Sequence, residues 1–205
     1  MTPPLLPELP AADAPDASFA VDAFESAIEW PFLVLMNGTE NYSAGSVQIG
    51  CNADALVLCA DLPDADIQTS VTEDNQNAWS LGDVVEIFVK AEEHSEYLEL
   101  HVTPNHHCLQ LRFPLKWDSA EGLGPFKVKE SIFSYRVEML EGGWRVFARV
   151  PLASITPNPA HRTLLLSVCR YDYVGDSLPV LSSTSAHEAV SYHRIHEWRP
   201  VRLPS

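Results

Sequence analysis

The chain has 205 residues, 46% of them apolar and 20% charged, the balance of a single globular domain rather than a disordered segment. Its 28 acidic against 13 basic side chains leave a formal charge of −15, which argues against nucleic acid and against anionic membranes as partners. The excess is uneven: residues 1–100 hold 19 acids and a single base, Lys90, while residues 101–205 hold 9 acids and 12 bases. Two readings stay open, plain solubility or convergence of some first-half carboxylates on a cation.

The first 18 residues are rich in proline and are expected to form an extended, weakly ordered leader, with one domain over 19–205. The start has neither a basic n-region nor an apolar h-region, so the expectation is a cytoplasmic protein, or a secreted one if a signal has been removed. No run approaches the roughly 18–20 apolar residues of a membrane span.

Short strands dominate the domain. Val47 to Cys51 alternates, Asn52-Ala53-Asp54 is turn chemistry, and Ala55 to Ala60 is continuously apolar, predicting a hairpin whose second strand is buried on both faces. Further strands are predicted over 83–90, 97–103, 108–113, 131–139, 144–152 and 164–173. Pro104-Asn105, Glu141-Gly142-Gly143 and Pro157-Asn158-Pro159 punctuate them. The fold class is therefore all-β, an antiparallel β-sandwich of jelly-roll or immunoglobulin-like type with few helices.

Alternation assigns faces. Val85, Ile87 and Val89 point one way, and Glu86 and Phe88 the other. Placing Leu98, Leu100, Val102, Leu109, Leu111 and Phe113 inward leaves Glu86, Tyr97, Glu99, His101, Gln110 and Arg112 on a second face. That face is a mixture of donors and acceptors suited to a polyhydroxylated ligand, or simply a solvated sheet surface.

Asp61, Asp64, Asp66 and Asp74, with Glu73 and Asn75 nearby, crowd a polar stretch and offer oxygen ligands for calcium; a solvated acidic loop is the alternative. His187, His193 and His196 raise an enzymatic alternative, a His/carboxylate site with or without a metal, although hydrogen-bonding roles suit such spacing better. There is no Gly-x-Ser-x-Gly elbow, phosphate loop or Cys-x-x-Cys pair. The four cysteines, Cys51, Cys59, Cys108 and Cys169, read as reduced and buried. Trp30 and Trp144 read as core, Trp79 as a loop residue, and Trp198 as either core or ligand platform.

Trp79-Ser-Leu-Gly-Asp83-Val-Val-Glu86-Ile-Phe-Val, followed by Glu96-Tyr97-Leu-Glu99-Leu-His101-Val-Thr-Pro104-Asn105, resembles the family 9 carbohydrate-binding modules and their DOMON-like relatives. Trp144-Arg-Val-Phe-Ala-Arg-Val-Pro151, Val168-Cys169-Arg170-Tyr171 and Ser191-Tyr192-His193 continue the resemblance over about residues 20–203. It implies a non-catalytic β-sandwich that binds a mono- or oligosaccharide between aromatic walls, with calcium ions bracing loops. Trp79 and Glu86 match the first wall and a hydroxyl partner; Glu99, His101 and Gln110 lie where further partners are expected. Leu181 to Ala186 offers no aromatic for the second wall, so the expected substitutes are Tyr192 or Trp198. A protein-interaction domain that kept the fold and lost the sugar is the remaining alternative.

Overall fold

The computed structural model describes residues 2–9, 21–40 and 42–204. Most of the proline-rich leader, residues 10–18, lies outside the described residues. The first half of the chain supplies β1 (Ile28–Pro31), β2 (Leu33–Met36), β3 (Ser46–Cys51), β4 (Ala55–Pro63), β5 (Val84–Ala91) and β6 (Glu96–Val102). The second half supplies β7 (Cys108–Pro114), β8 (Ser134–Leu140), β9 (Gly143–Pro151), β10 (Thr163–Asp172), β11 (Val180–Ser183) and β12 (Arg199–Arg202). One sheet has the order β1-β3-β4-β9-β8; the other runs β2-β11-β10-β5-β6-β7, with β12 also paired to β10. All these pairings are antiparallel. The all-β antiparallel sandwich expected from the strand spacing is the observed architecture.

The core lies between the sheets. Val47, Ile49, Leu58, Val146 and Val150 of the first sheet meet Val85, Ile87, Val89, Leu98, Leu100, Leu164, Leu166 and Val168 of the second. Burying each such aliphatic side chain stabilises the fold by about 1.5–3 kcal/mol. β4 is buried on both faces because Val57 and Cys59 turn outward onto Leu9, Phe24 and Phe147. Trp30 and Trp144 are core residues, and Cys51, Cys59 and Cys169 are buried thiols.

Residues 2–9 run extended across the edges of both sheets. Leu6 N–H donates to the Arg202 carbonyl of β12, and Leu9 N–H to the Cys51 carbonyl of β3. Leu6 and Leu9 are buried, the latter against the bare backbone of Gly50, where a Cβ would stand 2.5 Å from the Leu9 side chain.

The strands that the sequence pattern does not reveal, β1, β2, β11 and β12, have four residues each, too few to establish an alternation. One face assignment is corrected. Cross-strand partners share a face, and Tyr97, Glu99 and His101 pair with Phe113, Leu111 and Leu109. Those three apolar residues of β7 therefore lie on the outer face, and Gln110 and Arg112 on the inner one. Both faces of this sheet are covered, so hydrophobicity alone does not distinguish inside from outside; the five-residue connection between Val102 and Cys108 sets the parity.

Candidate functional site

The outer face of β5, β6, β7 and β10 is a second core, opened by a pocket. Phe88, Tyr97, Leu109, Leu111, Phe113, Cys169, Tyr192 and Trp198 pack together over it. Three loops form the cover. A 3-10 turn, Ala78–Ser80, carries Trp79; the turns Ser119–Glu121 and Gly124–Phe126 follow Trp117; and the chain from Thr184 to Trp198 carries Tyr192 and His193. Between them is a pocket of about 410 Å³ with Glu86, Phe88 and Glu99 on its floor. Its walls include Trp79, Trp117, Tyr171, Tyr192 and His193.

The Trp79 turn is held by backbone geometry. Gly82 has φ +142°, and a Cβ there would lie 2.3 Å from the Gln68 carbonyl oxygen. That close approach lets Asp83 N–H donate to the same carbonyl, while the Asp83 carboxylate accepts the N–H groups of Gln68 and Tyr173. The Tyr173 hydroxyl donates to the Trp79 carbonyl at 2.7 Å, and the indole meets His101 edge-on at 5.6 Å.

The floor is built by register: Glu86 opposes His101, and Phe88 opposes Glu99. Glu86, Glu99 and His101 are 3%, 5% and 0% exposed, so their charges are largely withdrawn from water. His101 Nε2 lies 2.6 Å from Glu99 Oε1 and 3.5 Å from Glu86 Oε1. Burial pushes the Glu86 carboxyl up, with His101 opposing and Glu99 reinforcing the shift. For His101, burial disfavours the charged imidazolium, but Glu86 and Glu99 outweigh it and raise the basicity of the ring. Glu99 Oε2 is buried and has no hydrogen-bond partner.

A relay fixes the neighbouring histidine. Trp117 Nε1 donates to the Tyr97 hydroxyl at 2.9 Å, and that hydroxyl lies 2.8 Å from His193 Nδ1. The hydroxyl accepts from the indole, and in the tautomer where its own proton is donated to His193 Nδ1, Nε2 carries the ring hydrogen. Burial lowers the His193 pKa and keeps the ring neutral. Nε2 stands 3.7 Å from Glu99 Oε2, too far for a direct hydrogen bond.

The structure thus brings Trp79, Glu86, Glu99 and Tyr192 to the pocket, with Tyr97 and His101 supporting them from behind. Trp198 is not a wall: it is buried against Phe88 and Tyr97, and its indole N–H holds the Tyr192 carbonyl at 2.8 Å. Gln110 and Arg112 are turned away, the first accepting from Ile132 N–H and the second donating to the Ser154 carbonyl. Trp117 and His193 join the pocket without having been expected on the sugar-binding face. Trp117 sits in a loop without periodicity, and only the Ser191-Tyr192-His193 match points near the second.

The acidic stretch does not converge as expected. Asp61 pairs with Arg145, Asp66 accepts from Gly175 N–H, and Asp74 accepts from Cys108 N–H. Asp64 instead joins Asp83 and Asp172 in a buried group. Arg170 reaches Asp64 at 3.3 Å and Asp172 at 2.9 Å, and the Tyr42 hydroxyl bonds Asp172. Calcium needs six to eight oxygens, whereas every carboxylate oxygen here except Asp172 Oδ1 is already engaged by an N–H or O–H donor, with a guanidinium as the internal cation. Calcium does not fit that group.

Glu86, Glu99 and His101 form the other group of metal-ligand type among the described residues. Donor atoms around a tetrahedral zinc stand about 3.3 Å apart, from bond lengths near 2.0–2.1 Å. The 2.6 Å Glu99–His101 contact is a hydrogen-bond distance instead.

The C-terminal histidines divide. His193 faces the pocket and His196 is exposed, while His187 is buried between Ser183 Oγ at 3.1 Å and Glu197 Oε2 at 2.9 Å. Nδ1–H donates to the carboxylate, and in the neutral ring Nε2 accepts from Ser183. The order resembles a hydrolase relay, but neither Ser183 nor His187 lines the pocket.

No protein-family model matches the chain, and no curated protein matches it by sequence. Solved structures do. A candidate carbohydrate-binding protein from Bacteroides uniformis superposes with a TM-score of 0.73 at 13% identity, covering 98% of each chain. A family 9 carbohydrate-binding module from Caldicellulosiruptor kristjanssonii in complex with glucose gives 0.64 at 14% identity, over 98% of this chain and 94% of that one. A family 9 module of the same organism in complex with cellotriose gives 0.61 at 14%, over 100% and 91%. The chain has the fold of the family 9 carbohydrate-binding modules.

Proposed function

We propose that this protein binds a mono- or oligosaccharide, without cleaving it, in the pocket between Trp79, Trp117, Tyr192 and His193. The observation that carries the reading is the 3.7 Å gap between His193 Nε2–H, a donor, and the unpartnered Glu99 Oε2, an acceptor. A sugar hydroxyl placed there accepts from one and donates to the other, which satisfies a buried carboxylate oxygen whose isolation costs about 1–3 kcal/mol. The aromatic walls supply rings on which the apolar face of a pyranose stacks. The fold shared with sugar-bound modules supports the same assignment.

Calorimetric titration with glucose, cellobiose and xylo-oligosaccharides, with and without calcium, tests it. Saturable binding is expected, with no release of new reducing ends on prolonged incubation. Failure to bind any sugar on a broad glycan array, in either condition, would overturn it.

A further inference from the structure

The pocket has a charge pattern that a site for neutral hydroxyls does not require. Among its lining residues there is no lysine or arginine, yet two carboxylates, Glu86 and Glu99, form the floor. Glu99 Oε2 lacks any hydrogen-bond partner, and the partner of Glu86 is His101 at 3.5 Å. A single imidazole therefore serves two acids, and it lies behind them rather than in the cavity. Counted with both carboxylates ionised and His101 protonated, the group carries one net negative charge; burial favours a proton on Glu86 in the empty pocket, and an arriving cation takes the place of that proton. His193, the other ring at the pocket, is held neutral by the Tyr97 proton and by burial. Around this floor stand the faces and edges of Trp79, Phe88, Trp117, Tyr171 and Tyr192.

Aromatic walls attract a cation through their ring quadrupoles, and a desolvated carboxylate attracts it more strongly than an exposed one. A neutral sugar leaves that attraction unused. Resting on the carbohydrate reading above, we propose that the preferred ligand is a basic amino sugar. Its ammonium group sits against Glu86 and Glu99, and an adjacent hydroxyl bridges Glu99 and His193. An ammonium carries three donors and no acceptor, which matches a floor richer in acceptors than in donors. An N-acetylated sugar, bulkier and uncharged, forfeits the match.

The test is calorimetry on the full chain at neutral pH with glucosamine, N-acetylglucosamine and glucose as the probes. Glucosamine is expected to bind at least about tenfold more tightly than either neutral sugar, the equivalent of one cation–aromatic contact plus a charge-assisted hydrogen bond. The ratio of glucosamine to glucose affinity is expected to collapse toward one in Glu86→Gln. Glu99→Gln is a second variant should the first not fold. Glucose binding as tightly as glucosamine to the unmodified protein overturns this inference and leaves the carbohydrate reading standing. Binding of none of the three, together with an empty glycan array, overturns both.

Discussion

His187 and Glu197 meet at 2.9 Å, Nδ1 to Oε2, and close the chain between them into a loop that carries Tyr192 and His193 over the pocket. Glu197 also bonds Arg194 and the Glu188 N–H, and the other face of the imidazole receives the Ser183 hydroxyl. His187→Ala should cost on the order of 1–3 kcal/mol by stranding buried polar partners. It should also weaken ligand binding although the residue does not line the pocket. Chemical denaturation and calorimetry on the same variant check both effects.

The loop should open in acid. Glu197 is held down to about 2 from its ordinary 4.5, first by Arg194 and then by His187 and the Glu188 N–H. A carboxyl depressed in the fold contributes stability that is complete above its unfolded pKa and disappears as pH falls through its folded one. The contribution is therefore constant above about pH 5 and lost between pH 4.5 and 2. Melting temperatures across that range should fall more steeply for the parent protein than for Glu197→Gln.

Trp117 should behave as both wall and clamp. Trp117→Phe keeps a ring against Phe113 and His193 but removes the indole N–H that donates to Tyr97. Without that donor the Tyr97 hydroxyl no longer has its rotor fixed, and the His193 tautomer is released. Sugar affinity should drop about tenfold, the loss of roughly one hydrogen bond's net contribution. Imidazole nitrogen shifts in NMR spectra should show His193 in two tautomers rather than one.

Gly82→Ala should displace the Trp79 turn, since the new Cβ meets backbone rather than a yielding side chain and sits at a φ that L-residues rarely adopt. A loss of about 1–3 kcal/mol is expected from that strain. A red shift of tryptophan emission and weaker sugar binding should accompany it.

Arg170→Met should be among the most damaging single changes. It leaves Asp64 and Asp172 buried without their cation beside Asp83, where burial already raises Asp64 and pushes Asp83 up to about 7. Breaking one side of a buried ion pair costs about 3–5 kcal/mol. Denaturation at neutral pH should show this, with part of the loss recovered at lower pH as the carboxyls take up protons.

Most of the sandwich is legible in the sequence because its long strands alternate. Val85, Ile87 and Val89 against Glu86 and Phe88 can be sorted without any tertiary information. Glu86, Glu99 and His101 fall on one face for that reason, and register brings them together in space. Gln110 and Arg112 are misassigned because a strand covered on both sides carries no label for its faces. Trp117 is unreadable for a different reason. It acts through a loop whose position depends on packing onto Phe113 and Phe126, a long-range outcome that local pattern does not encode. The acidic stretch misleads because its carboxylates are matched by donors distant in sequence, such as Arg145 and Arg170.

The clasp of residues 2–9 has a consequence for how the chain is made. Leu6 takes its backbone partner from Arg202 of the final strand, and Leu9 from Cys51 far along the chain. Residues 2–9 are made before the strands they pair with, yet they can seat fully only after β12 has emerged. Until then the edges of both sheets that they cover stay open to other strands. Late closure of so non-local a contact makes the clasp a candidate for the slowest step in folding and for the first to fray.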